Sequence, residues 1–349
     1  MSKVYKIGIL ADCHLDAKPY GLEEKRQDIF KSFVLAVKIL KKKDIDLLIV
    51  AGDLFDNEKP SFEAYYYANY LTVFDNVFFI EGNHDRGVSN FFESIGIKKR
   101  EYFAINDKLV IAGIDYIDNH NELRKKIYQI QNDLEAKNTI LVLHCNINTV
   151  MPYLKESSKV IFKSDLNEFK LSIIGHFHNS YYDGKILVPG SLERLNVLNT
   201  EERKVFILEI DEKNNINVEP ILIPTRKIIE VKDKKELNKV LKEESLKPIV
   251  FYTGNPSELS MSDILLAEKK CLLFDIKHKF KKAVDGLLNQ EIEINLEKVK
   301  EFLWNVLNEN NINKDLIKVF MENYGNIKKA QENLKKLIEK EYEIKGIEY

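Results

Sequence analysis

The chain has 349 residues, 44% of them hydrophobic and 31% charged, with 14 glycines and 8 prolines. That is room for about two domains at ~150 residues each, and it excludes both wholesale disorder and a collagen-like chain. A net charge of −2, from 53 Lys+Arg against 55 Asp+Glu, excludes bulk basic character but not a basic groove inside a balanced total.

Apolar runs and helical spacing set the expected elements in chain order. A buried strand is expected at 4–11 and a helix at 22–43, with Phe30, Phe33, Val34, Val37 and Leu40 on one face. A strand at 46–52, a helix at 61–74 and a strand at 77–82 follow. This βαβαβ rhythm predicts a parallel sheet covered by helices. Strands are then expected at 102–105, 109–114 and 139–143, with a helix from 121 to about 136 between the last two. Four more follow at 171–175, 186–188, 204–210 and 217–223, a set that two packed sheets flanked by helices would hold. Pro224 closes the block. Residues 226–281 read strand, helix, strand, helix, strand, a compact α+β module. Beyond Asp285-Gly286 only amphipathic helices are expected.

No apolar run reaches the ~20 residues of a membrane span, and the first residues hold no small-residue cleavage site, so neither a span nor a signal peptide is expected. Three widely spaced cysteines, Cys13, Cys145 and Cys271, suggest reduced thiols in a cytoplasmic protein. Cys13 and Cys145 are expected to be small buried hydrophobes.

The chemistry lies at strand ends. Asp12-Cys13-His14 follows the first strand, Gly52-Asp53 the second and Gly82-Asn83-His84-Asp85 the third. His144 ends a later strand, and Gly175-His176-Phe177-His178 follows another. Five of the seven histidines fall in these places; His120 and His278 are assigned to surface or packing roles. Carboxyl ends of strands in an α/β sheet are where ligands bind. Alone, Asp-x-His is weak, Gly-Asn-His-Asp could be a turn, and His176-Phe177-His178 could be a half-exposed strand end. In this order, each after an apolar strand, they predict one site. The donors exceed what one ion needs. One ion would take Asp12, His14, Asp53 and His178; the other Asp53, Asn83, His144 and His176, with Asp53 bridging. Mixed imidazole and carboxylate donors suit Mn, Fe, Zn or Co better than Mg. Two such ions can clamp a phosphate for in-line displacement.

This ordered set resembles the calcineurin-like metallophosphoesterase superfamily. Gly52-Asp53-Leu54-Phe55-Asp56, Pro60 and Pro189-Gly190-Ser191-Leu192-Glu193-Arg194 narrow it to the SbcD and meiotic-recombination-eleven branch of DNA repair nucleases. The resemblance implies an α/β, four-layer αββα sandwich at 1–225, a small α+β capping, DNA-binding domain at 226–285 and C-terminal helices at 286–349. It implies a Mn-dependent 3′–5′ exonuclease and endonuclease with two divalent ions. DNA, an SbcC or Rad-fifty-like ATPase and a second copy of the chain are the implied partners, with a place at the nucleoid. Carried over by position, Asp12, His14, Asp53, Asn83, His144, His176 and His178 are the metal ligands and His84 the catalytic, non-ligand histidine. Asp85 could hold its imidazole. Two positions depart from the family: Asp16 stands where glycine is usual, and Asp56 where archaeal and eukaryotic members often carry histidine. The rival readings are a protein phosphatase or small-molecule phosphodiesterase on the same core, and a metal-free scaffold.

Two further expectations concern association. Phe62, Tyr65, Tyr66, Tyr67, Tyr70, Leu71 and Phe74, with Phe91, Phe92, Ile95 and Ile97, offer more apolar surface than sheet covering needs, and are expected to build a homodimer. Phe302, Leu303, Trp304, Val306, Phe320, Tyr324 and Leu337 are expected to grip the ATPase.

Overall fold

The computed structural model describes residues 4–243 and 246–276. The helices expected beyond residue 286, with their ATPase-facing residues, lie outside the described residues. The strands are β1 (Tyr5–Leu10), β2 (Leu47–Ala51), β3 (Val77–Ile80), β4 (Tyr102–Ala104), β5 (Val110–Gly113), β6 (Thr139–His144), β7 (Leu171–Gly175), β8 (Tyr181–Tyr182), β9 (Ile186–Val188), β10 (Arg203–Ile210), β11 (Ile216–Ile223), β12 (Ile228–Val231), β13 (Ile249–Tyr252) and β14 (Leu273–Ile276). The α-helices are α1 (Glu23–Lys42), α2 (Phe62–Ala68), α3 (Ser89–Ser94), α4 (His120–Asp133), α5 (Lys234–Glu243) and α6 (Met261–Lys270). The chain divides into two compact units, the first being Met1–Glu230 with Lys239–Phe251 and Glu268–Phe274.

Within the first unit, side-chain alternation along the strands builds the layers. Leu47, Ile49 and Ala51 of β2 point into one core, Leu48 and Val50 into another. The first core lies between the two sheets: Ile7, Ile9, Phe78 and Ile80 meet Ile111, Ile140, Val142 and Ile173. On the outer side of the first sheet, Phe30, Phe33, Val37 and Leu40 of α1 pack with Ala64 and Ala68 of α2 and Phe92 of α3. On the outer side of the second sheet, Leu123, Ile127 and Ile130 of α4 cover Leu141, Leu143 and Ile174. The helix–sheet–sheet–helix order is the expected αββα sandwich.

The first sheet runs β11-β10-β1-β2-β3. β1, β2 and β3 are parallel, in the register Ile9↔Ile49 and Ile49↔Phe78. β10 adds to β1 antiparallel, Ile9↔Phe206. The second sheet runs β4-β5-β6-β7-β9-β8, with β5, β6, β7 and β9 parallel. The two-residue strand β8 is not among the expected elements. The helix expected over 61–74 is shorter: Ser61 caps it by accepting from Ala64 N at 3.2 Å, it stops at Ala68, and Asn69–Val73 tightens to a 3₁₀ turn. Asn69, Thr72 and Val73 are weak helix formers, which accounts for the break.

Residues 226–276 do alternate strand and helix, and their sheet has the order β12-β13-β14. In the second unit, Lys234 Nζ meets Asp263 Oδ2 at 2.6 Å. Among the described residues no helix is long and apolar enough to cross a membrane.

Candidate metal centre

Two loops place the acidic end of the site. Beyond β1 and β2 the chains stay paired through His14 N to Asp53 O (3.0 Å), Leu15 N to Leu54 O (2.9 Å) and Asp56 N to Leu15 O (3.0 Å). This zipper sets Asp12 and His14 beside Asp53 and Asp56. The backbone there is not extended: Asp12, His14, Asp53 and His176 have φ of 48°, 45°, 51° and 88°. Left-handed φ is uncommon for residues with a Cβ, and it clusters at functional sites. Cys13 is buried in the helix-side core, as expected. Cys145 is buried under α4. His120 is buried, its Nδ1 donating to Asp118 O and its Nε2 accepting from Asn146 N, which is a packing role. Gly52 has φ +84°, and a Cβ there would strike the His144 ring; a Cβ on Gly82 would strike the Asp53 carboxylate.

All seven expected ligands and His84 come together. Asp12, His14 and His178 form one cluster whose donor atoms lie within 4.8 Å of one another; Asp53, His144 and His176 form another; His14, Asp53 and His84 a third. Asp53 lies between the halves, with Oδ2 at 3.7 Å from His14 Nε2 and 3.2 Å from His144 Nε2. Asn83 Oδ1 joins the second half, 3.2 Å from His144 Nε2 and 2.8 Å from His176 Nδ1.

The neighbouring groups orient the donors. His144 Nδ1 donates to Ala51 O at 2.9 Å, and His14 Nδ1 donates to Asp56 Oδ1 at 3.0 Å. Each bond fixes the tautomer and presents the Nε2 lone pair inward. Asp56 thus has a place that its departure from the family pattern left open. His14 Nε2 and His178 Nε2 then lie 3.2 Å apart. Asp12 Oδ1 accepts from His176 N at 2.8 Å, while its buried Oδ2 has no hydrogen-bond partner. Two inward lone pairs beside an orphaned carboxylate oxygen are what a cation satisfies. Burial, with neighbouring imidazoles, pushes His178 down to about 3 and His176 down to about 4, so both are neutral near pH 7 and fit for ligation. The residues present therefore fit divalent ions.

His84 is exposed. Its backbone N donates to Asp53 Oδ1 at 2.9 Å and its ring Nδ1 to Asp56 O at 2.9 Å, which leaves Nε2 available. Asp85 does not serve as the expected partner of that imidazole. It is buried, and its carboxylate accepts from Gly82 N at 2.8 Å and Leu54 N at 2.6 Å, tying two ligand loops together.

Two features were missed from the sequence. The Tyr116 ring lies 6.1 Å from both the His144 and the His176 rings. Arg203, almost wholly buried, donates through Nη1 to His178 O at 2.5 Å and through Nη2 to Asn179 Oδ1 at 3.1 Å. Neither lies in a motif, so no sequence signal pointed to them. The Pro189–Arg194 stretch was singled out, but its work is bracing: buried Glu193 meets Lys25 Nζ of α1 at 3.0 Å and Ser32 Oγ at 3.0 Å, while Arg194 holds Asn199 O, Glu201 O and Thr225.

Several known proteins are similar to this chain. A Methanocaldococcus jannaschii protein described as DNA double-strand break repair protein Mre11 is 26% identical over 374 residues, covering 96% of this chain and 98% of that one. A protein of the same description from Sulfolobus acidocaldarius is 28% identical over 201 residues, about half of each chain (51% and 52%). The solved structure of a dimetal phosphatase from Danio rerio is 12% identical with a TM-score of 0.40, over 63% of this chain and 99% of that one. Residues 5–180, the stretch that supplies every donor described above, match the calcineurin-like phosphoesterase family, and the chain belongs to that family.

Proposed function

We propose that the chain is a metal-dependent DNA nuclease, the cleaving subunit of a double-strand break repair complex. The observation that carries this is the run of donor clusters, Asp12–His14–His178 and Asp53–His144–His176, with His14, Asp53 and exposed His84 forming a third. Asp12, His14, Asp53 and His178 would hold one ion, and Asp53, Asn83, His144 and His176 the other. Mn²⁺ suits these mixed donors, and when bound the ions supply Lewis acidity and orientation for in-line attack on a phosphodiester. His84, anchored through Nδ1, would act as the imidazolium, handing its Nε2 proton to the leaving oxygen and ending as the neutral imidazole. The description of the relatives as break-repair proteins supports DNA as substrate.

The finer reading follows the resemblance: 3′–5′ exonuclease and endonuclease activity, in a homodimer at the nucleoid. Residues 1–225 form the nuclease domain and 226–285 the capping domain. Residues 286–349 bind an SbcC or Rad-fifty-like ATPase.

The test is Mn-dependent cleavage of single-stranded DNA by wild type and His84→Ala, with Mn²⁺ binding measured by titration. His84→Ala should bind both ions and lose cleavage by ~10²–10⁴. Wild-type cleavage, or loss of an ion, overturns the role of His84. A wild-type protein that hydrolyses p-nitrophenyl phosphate and leaves DNA intact is a phosphatase instead.

A further inference from the structure

The two sides of the metal centre have different rims. Beside His14 and His178 stand Asp56 and His84. Beside His144 and His176 stands Tyr116, where the chain leaves β5, its backbone N fixed to Glu81 O at 2.9 Å. The guanidinium of Arg86 lies over the Tyr116 ring, 5.3 Å from its centroid. Arg86 Nη2 also donates to Asp118 Oδ2 at 2.7 Å. Arg86 is exposed, three positions after Asn83. It is thus an exposed cation held in one orientation at the mouth of a site crowded with carboxylates: Asp12, Asp53, Asp56 and Asp85.

Fold stability does not account for this arrangement. An exposed Arg–Asp pair contributes at most about 1 kcal/mol. Orientation is what the pairing achieves. Asp118 occupies one of five guanidinium N–H donors, and the planar fork suits phosphate oxygens.

We infer that Arg86, oriented by Tyr116 and Asp118, binds the phosphate next to the scissile one, on the His144–His176 side of the centre. The proposal rests on the nuclease reading and deepens it. A polynucleotide supplies this second phosphate; a small phosphodiester does not.

The experiment has two arms. In the His84→Ala background, binding of a fluorescent single-stranded oligonucleotide is followed over a salt series. Arg86→Ala should weaken it about tenfold, the loss of one charge-assisted contact. It should also reduce the slope of log K against log salt by about 0.7, the loss of one phosphate contact on a single strand. Arg86→Lys should keep the slope and recover part of the affinity. In the catalytically competent background, the ratio of kcat/KM for DNA to kcat/KM for bis(p-nitrophenyl) phosphate should fall about tenfold in Arg86→Ala. An unchanged affinity and slope overturn the proposal. So does an equal loss on both substrates, which would put Arg86 in the service of the metal centre itself. A wild-type chain that hydrolyses the bis ester and neither binds nor cleaves DNA would instead sink the nuclease reading.

Discussion

At Asp16 backbone and side chain pull in opposite directions. Its φ of 86° is a conformation that favours glycine, the residue usual here in the family the sequence resembles. Its carboxylate nevertheless accepts from Ser61 N at 2.6 Å, Ser61 Oγ at 2.9 Å and Arg26 Nε at 2.8 Å, pinning the starts of α1 and α2 to the metal loop. Glycine would relieve strain of order 1 kcal/mol but remove bonds to a charged group that together outweigh it. Asp16→Gly should lower stability by about 1–3 kcal/mol in urea denaturation and leave Mn²⁺ binding intact. The other departure orients a proposed metal ligand, His14. Asp56→Ala frees the His14 tautomer, so the affinity of the ion His14 shares should fall ~10–100-fold by Mn²⁺ titration. Unaltered affinity would show that the 3.0 Å bond is dispensable. Both residues were legible as departures because they sit inside motifs. What they do was not, since Ser61 and Arg26 are 45 and 10 positions away from Asp16.

β1, β2, β3, β6 and β7 were legible because they are continuous apolar runs buried almost throughout, and the donors were legible because each follows such a run or ends it. Bracing between elements was not. Arg203 opens β10 in the first sheet, yet its guanidinium holds the carbonyl of His178, which follows β7 of the second. Ser191 N adds a bond to the same carbonyl at 3.0 Å. A strand-opening arginine carries no local pattern that announces such a cross-sheet contact. Arg203→Met should weaken the ion bound by Asp12, His14 and His178 ~10–100-fold while the ion bound by Asn83, His144 and His176 keeps its affinity, read as a split two-step titration. Arg203→Lys, which keeps one donor, should restore part of it. Equal weakening of both ions would mean that the arginine only stabilises the fold.

At the scale of the whole molecule the aromatic surface of α2 bears on association. Phe62 is 94% exposed and Tyr66 64% exposed, side by side on α2. With Phe55, Pro60, Tyr65 and Phe91 they line a cleft of ≈ 690 Å³. Sequence spacing marked the aromatics but could not sort them. Tyr65 and Phe91 turn inward against Phe55, and Phe92 is fully buried, stacked on Phe79 at 3.8 Å, so it offers nothing to a partner. What remains outside is a compact aromatic patch, which suits an interface core more than a solvated surface. The homodimer proposed above would use this patch, since a two-fold contact needs only one self-complementary surface. Phe62→Asp with Tyr66→Asp places charges where both copies would meet, and like charges facing each other across such a contact oppose association. Light scattering at micromolar concentration should give a dimer for wild type and a monomer for the double variant. Both side chains are largely in water in the single chain, so the variant should stay folded and keep its Mn²⁺ binding, its thermal midpoint falling only by what association contributes. A wild-type monomer defeats the proposal, and a variant that stays dimeric moves the interface elsewhere.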